Sequence, residues 1–153
     1  MRDLNDKLVW ITGAGTGIGA AAAVRLAKAG CRVILSGRRM EPLQAVADQI
    51  GSAATVMPLD VSDRQAVAKA GDSIMAMHGT VDILVNNAGI NIPKRHWPDV
   101  SHDDWDDVIQ IDVNGVFYCT QAVLPAMRDR KEGLIINISS WAGARPNCWL
   151  TKP

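Results

Sequence analysis

The sequence has little of what would mark a highly charged, disulfide-bonded or membrane-embedded protein. Its 16 Lys and Arg balance 16 Asp and Glu, for a formal net charge of +0, and no block of like charge stands anywhere. Nothing electrostatic therefore recommends nucleic acid or an anionic membrane as a partner, and the expected ligand is small. Cys31, Cys119 and Cys148 are odd in number and widely spaced. They argue for reduced thiols in a cytoplasmic protein, packed as small hydrophobes, rather than for a disulfide or metal framework. The uncharged stretch around Val9 to Val24 is interrupted by glycines and built from small residues, so it is no membrane span, and no signal peptide precedes it. Repeats of short period, low-complexity tracts and dividing linkers are lacking too.

What is present is one domain's worth of apolar sequence: 153 residues, 48% hydrophobic. Apolar β-type runs at Leu8 to Ile11, Arg32 to Ser36, Thr55 to Leu59, Val81 to Val85 and Leu134 to Ile138 alternate with helical patterns. The helices are expected up to Lys28, over Met40 to Ile50 with Pro42 in the first turn, over Asp63 to His78, and from Ser101 to about Arg130 with an interruption near Asn114-Gly115. Ser62 and Gln65 form a capping-box pattern for the third of these, and Ser101 caps the fourth. Ile90 to Val100, with Pro93 and Pro98, reads as a loop. Strands alternating with helices imply an α/β fold with a doubly wound parallel sheet of about five strands, whose ligand belongs at the carboxyl ends of the strands.

Between the first strand and first helix runs Thr12-Gly13-Ala14-Gly15-Thr16-Gly17-Ile18-Gly19. Glycines there let backbone approach a ligand, and the free N–H groups of the following helix attract phosphate. The general G-x-G-x-x-G pattern fails, because its last position falls on Ile18 or Ala20. The spacing that fits is T-G-x-x-x-G-x-G, with Gly13, Gly17 and Gly19, and it resembles the short-chain dehydrogenase/reductase family. Asn86-Asn87-Ala88-Gly89, directly after the fourth strand, resembles that family's N-N-A-G motif.

The resemblance implies a Rossmann-type NAD(P)-binding domain over 1–153 and an oxidoreductase that interconverts a small-molecule alcohol and carbonyl by hydride transfer. It puts Gly13, Gly15, Thr16, Gly17, Ile18 and Gly19 at the cofactor phosphates, Asp60 and Val61 at the adenine, and Asn87, Ala88 and Gly89 beside the cofactor. Read as residues alone, Asp60 serves equally as a turn or cap residue, and the asparagines as a polar turn. Ser36-Gly37-Arg38-Arg39 has no carboxylate to bond a ribose 2′-hydroxyl, and an arginine fork suits a 2′-phosphate, so Arg38 favours NADP, with NAD as the alternative. Ile111 to Phe117 resembles the family segment with a relay asparagine, for which Asn114 is the candidate. Ile136-Asn137-Ile138-Ser139-Ser140 resembles the serine strand, and Ser140, before Trp141-Ala142-Gly143, is the candidate catalytic serine. Its hydroxyl could donate to an oxygen on which charge develops.

One family feature is missing. The Tyr-x-x-x-Lys pair, in which lysine lowers the phenol pKa for proton exchange, has no counterpart here. The single tyrosine, Tyr118, is followed at that spacing by Ala122, and Lys152 is preceded by Cys148. The expectation is therefore a truncated, amino-terminal part of a family member, without the carboxyl-terminal strands and catalytic helix, and inactive alone. The alternative is a non-catalytic nucleotide-binding or interaction module. Leu134 to Ser139 would then form an exposed sheet edge, and a homo-oligomer stays open for a full-length parent. Trp97, Trp141 and Trp149 are candidates for either an apolar pocket or core packing.

Overall fold

A computed structural model describes residues 3–94 and 96–140; Trp141, Cys148, Trp149 and Lys152 lie outside the described residues. Five parallel strands form one sheet in the order β3-β2-β1-β4-β5: β1 Leu8–Thr12, β2 Arg32–Gly37, β3 Ala54–Pro58, β4 Ile83–Asn86 and β5 Leu134–Asn137. The intervening helices are α1 Gly17–Lys28, α2 Met40–Ile50 and α3 Arg64–His78. After β4 come a 3-10 turn at Trp97–Asp99, then α4 His102–Val108, a π-helical turn Ile109–Asn114 and α5 Gly115–Arg130.

Alternation along the strands builds a core on each face of the sheet. Leu8 and Trp10 of β1 join Ile34, Leu84, Val67, Ile74, Cys119 and Val123 on the side of α3 and α5. Val9 and Ile11 point the other way, into Val33, Leu35, Val85, Ala23 and Leu43 on the side of α1 and α2. All of β1 is buried, which is why it reads as a continuous apolar run rather than an alternating one. The indole of Trp10 donates to Ser36 Oγ at 2.9 Å, so this large central side chain keeps its polar atom satisfied. Cys31 and Cys119 are free and buried, as expected of small core residues. Among the described residues, no helix is long and apolar enough to cross a membrane.

The third helix corrects the capping expectation. Ser62 is not its cap: the Ser62 hydroxyl donates to Asp60 Oδ1 at 2.7 Å. Asp63 takes the place, accepting from the N–H groups of Gln65 at 2.8 Å and Ala66 at 3.0 Å. Two neighbouring residues could cap, and Asp60 captures one of them. Ser101 does cap α4, accepting from Asp104 N at 3.0 Å. The expected interruption near Asn114 is the π-helical turn, and among the described residues β5 is one edge of the sheet, with Leu134 and Ile136 exposed, as is Ile138 just after it. Trp97 is neither core nor cleft: it is 69% exposed and lies beside Trp105, ring centroids 5.9 Å apart and the planes tilted by 37°.

The chain builds β2 and β3 outward on one side of β1 and then crosses to put β4 on the other. Where the winding reverses, the connections leaving β1 and β4 diverge and open a crevice at their carboxyl ends.

Candidate cofactor-binding site

The crevice is a cleft of about 150 Å³ whose walls include Gly13, Gly15, Thr16, Arg38, Asp60, Val61, Ala88 and Gly89. Eight of the twelve residues expected at a cofactor are thus brought together from four loops, although they run from position 13 to position 89 of the sequence. Gly17 and Ile18 stand outside these walls at the exposed start of α1, Ile18 being 63% exposed. Gly19 and Asn87 serve the walls from behind.

Thr12 is the pivot of that support. Its Oγ1 accepts the N–H groups of Asn87 and Ala88, each at 3.0 Å, and Asn87 Nδ2 returns bonds to the carbonyls of Thr12 at 3.0 Å and Gly13 at 3.1 Å. These bonds satisfy buried polar backbone and lock the glycine loop to the loop after β4. They also force the glycines. Gly13 has φ +64, and a Cβ there would lie 2.9 Å from both Ala88 Cα and Asn87 Nδ2. At Gly19 a Cβ would run into the Gly13 carbonyl and stand 2.5 Å from Asn87 Nδ2.

Helix α1 begins with Thr16 in extended geometry, with no side-chain capping bond and no acidic residue in its first turn. Its N–H groups and positive dipole end are left for an external anion. Arg38 is an exposed wall residue that makes no ion pair with any described residue. Asp60 is the one carboxylate in the wall, and its Oδ1 is held by the N–H and hydroxyl of Ser62 at 3.0 and 2.7 Å. A glycine cradle, an uncapped helix start and an uncommitted guanidinium fit a phosphorylated nucleotide. No group of three or more candidate metal ligands occurs among the described residues.

The two catalytic candidates behave differently. Ser140 is exposed and follows β5 at this same end of the sheet, where Ile138 N donates to Asn86 O at 2.9 Å. Asn114 stands outside the cleft walls, its Nδ2 donating to Gln110 Oε1 at 2.7 Å. Other side chains of this segment do reach the cleft loops: Asp112 Oδ1 accepts Ile90 N at 2.8 Å, and Gln110 Nε2 donates to Ser62 O at 2.7 Å. Sequence reasoning passed over both Asp112 and Gln110. The signal available was the helix interruption expected near Asn114-Gly115, which the structure resolves into a π-helical turn, and such turns recur at functional sites.

Comparison with known proteins agrees with this fold. The chain is similar to an NADP-dependent 3-hydroxy acid dehydrogenase of Salmonella typhi, 40% identical over 139 residues that cover 91% of this chain and 56% of that protein. It is similar in structure to a metagenomic short-chain oxidoreductase in complex with NADP, with TM-score 0.89 and 37% identity over 95% of this chain and 67% of that one. A 3-ketoacyl-(acyl-carrier-protein) reductase from Brucella melitensis complexed with NADH gives TM-score 0.88 and 34% identity, over 94% and 61% of the two chains. The chain thus spans little more than half the length of the first of these. The family model described as short chain dehydrogenase matches residues 7–152, and the chain belongs to that family.

Proposed function

We propose that the cleft binds NADP(H), and that the protein acts on a small-molecule alcohol or carbonyl in the cytoplasm. The observation that carries the cofactor choice is Arg38: an exposed guanidinium in the cleft wall, without an ionic partner among the described residues. A planar fork of donors matches a 2′-phosphate, whereas a ribose hydroxyl would need an acceptor in that place. The NADP-dependent relative and the NADP complex support the same choice.

In this reading Gly13, Gly15 and Thr16 bring backbone to the phosphates, with Gly17 and Ile18 opening the helix that faces them and Gly19 keeping its first turn close to Gly13. Asp60 and Val61 form the wall on the adenine side, and Asn87, Ala88 and Gly89 the opposite wall. When bound, the cofactor supplies a hydride donor or acceptor. Ser140 would donate a hydrogen bond to the substrate oxygen, stabilising the charge that develops there. Asn114 enters this reading through its bond to Gln110 rather than through the cleft.

Titration of the 153-residue chain with NADPH and NADH, followed by calorimetry, tests the proposal. NADPH is expected to bind about tenfold more tightly, and Arg38→Ala to remove that preference while leaving NADH affinity within about twofold. Equal affinities in the unaltered chain would sink the NADP assignment, and binding of neither would sink the cofactor reading. A non-catalytic nucleotide-binding module is the second reading, and it uses the same cleft. Both readings require binding; reduction of carbonyl substrates by a chain that binds NADPH would exclude the second.

A further inference from the structure

The π-helical turn Ile109–Asn114 lies between the two loops that form opposite walls of the cleft, and it holds each of them by one hydrogen bond. On one side Gln110 Nε2 donates to the Ser62 carbonyl at 2.7 Å. Gln110 is itself fixed by Asn114 Nδ2 at 2.7 Å, and Ser62 is tied to Asp60 through the bonds described above. On the other side Asp112 Oδ1 accepts Ile90 N at 2.8 Å, and its carboxylate stands against Gly89, where a Cβ would lie 3.4 Å from Oδ1. Ile111, between the two, lines the cleft.

Helical geometry gives this arrangement a reason. Consecutive residues of an α-helix are about 100° apart around its axis, so residues two apart leave in nearly opposite directions. Gln110 and Asp112 are two apart, and they reach loops that lie 48 and 22 residues away in sequence. Immediately after the turn, Gly115 allows close packing on the same wall: a Cβ there would sit 2.8 Å from Val61 Cγ2. The Asp60–Ser62 turn and the Gly89–Ile90 segment are therefore seated on a common bracket.

We infer that Gln110 and Asp112 are positioning residues that set the separation of the two cleft walls, and hence the affinity for the nucleotide. This rests on the cofactor reading above. Asp112 acts as an acceptor, so Asn, which keeps an acceptor oxygen at that place, should serve in its stead; Gln110 acts as a donor to a carbonyl, which Leu of similar size cannot supply.

The test uses NADPH as the probe on the full 153-residue chain, with thermal unfolding measured in parallel. Asp112→Ala and Gln110→Leu are each expected to weaken NADPH binding about five- to tenfold, and Asp112→Asn to stay within about twofold of the unaltered chain. A purely structural role would lower the melting temperature of Asp112→Ala without changing the affinity of the folded protein, and that result overturns the inference. So does an Asp112→Asn variant as weak as Asp112→Ala. Should either variant fail to fold, Asp112→Asn and Gln110→Glu decide: Gln110→Glu removes the donor without removing bulk, and unchanged affinity there overturns the role of Gln110. Failure of the unaltered chain to bind NADPH would instead refute the cofactor reading, and the bracket with it.

Discussion

The two ends of the sheet are held together by different chemistry. At the amino ends of the strands, Asp82 gathers charge: its Oδ2 accepts Leu8 N at 2.8 Å, and its Oδ1 faces Arg130 at 3.3 Å and Lys7 at 3.8 Å. Lys7 also pairs with Glu132 at 3.1 Å, and Arg130 donates to Val81 O at 3.1 Å. At the carboxyl ends, hydrogen bonds without an ion pair do the joining, through Thr12, Asn87, Gln110 and the Asp112 carboxylate, while among the described residues Arg38 makes no ion pair and α1 starts without a capping side chain. Charges that close on one another stabilise a fold and leave nothing for a ligand. Charges held open cost stability and supply recognition. The amino end thus fastens three strands, and the carboxyl end carries the proposed nucleotide site.

The comparison breaks most readily at Gly19, where fold and site depend on the same absent Cβ. Gly19→Ala would push methyl against the Gly13 carbonyl and Asn87 Nδ2, both parts of the Thr12–Asn87 lock. We expect a loss of about 3 kcal/mol in denaturant unfolding together with loss of NADPH binding. Normal stability with lost binding would mean that the loop can shift without disturbing the sheet, and would separate site from fold more cleanly than the contacts allow.

Asp82 should show the opposite combination. Its side chain is 13% exposed and serves a backbone N–H as well as two cations. Asp82→Ala leaves Leu8 N and Arg130 without that partner, for an expected loss of about 2 kcal/mol. NADPH affinity of the folded variant should be unchanged. A variant that kept its stability but bound the nucleotide more weakly would contradict the division of labour between the two ends.

How much of this could be read from sequence follows from the range of each interaction. Helix α2 was legible to the residue, because Pro42 and Gly51 punctuate it locally. So was the glycine loop, whose spacing is itself a local record of the close approaches at Gly13 and Gly19. The α3 cap was misread because Ser62 and Asp63 both qualify, and the choice is made by Asp60, which turns back on Ser62. Strand ends moved by one or two residues, since pairing with neighbours rather than propensity decides where a ladder stops. Gln110 and Asp112 were missed for the same reason at longer range: their partners are remote in sequence, and an i→i+5 turn leaves no distinctive spacing of apolar residues. Asn114 carried the more suggestive residue type, yet its amide is spent on Gln110.

Alkaline pH offers the finest probe of the comparison, because the core thiol and the ammonium of the amino-end cluster titrate over different ranges. Burial pushes the Cys119 thiol from 9.0 up to about 12, so between these values the folded chain keeps a proton that the unfolded chain gives up. Stability therefore falls as pH rises from about 9 towards 12, and Cys119→Ala should remove part of that slope. Cys31 is also raised, by burial and then by the charge of Asp82, and adds a fall of the same sign. Lys7 is raised above 10.5 by its hydrogen bond to Glu132 and then by the charge of Asp82, so the stability it contributes is complete below 10.5 and is lost above it as the ammonium deprotonates. Denaturant unfolding at stepped pH separates the two: Lys7→Met should flatten only the portion above about 10.5, and Cys119→Ala should act from about 9 upward. If Lys7→Met altered nothing at high pH, the ionic cluster at the amino end would not be a fastening of the sheet, and the contrast with the open carboxyl end would rest on Asp82 alone.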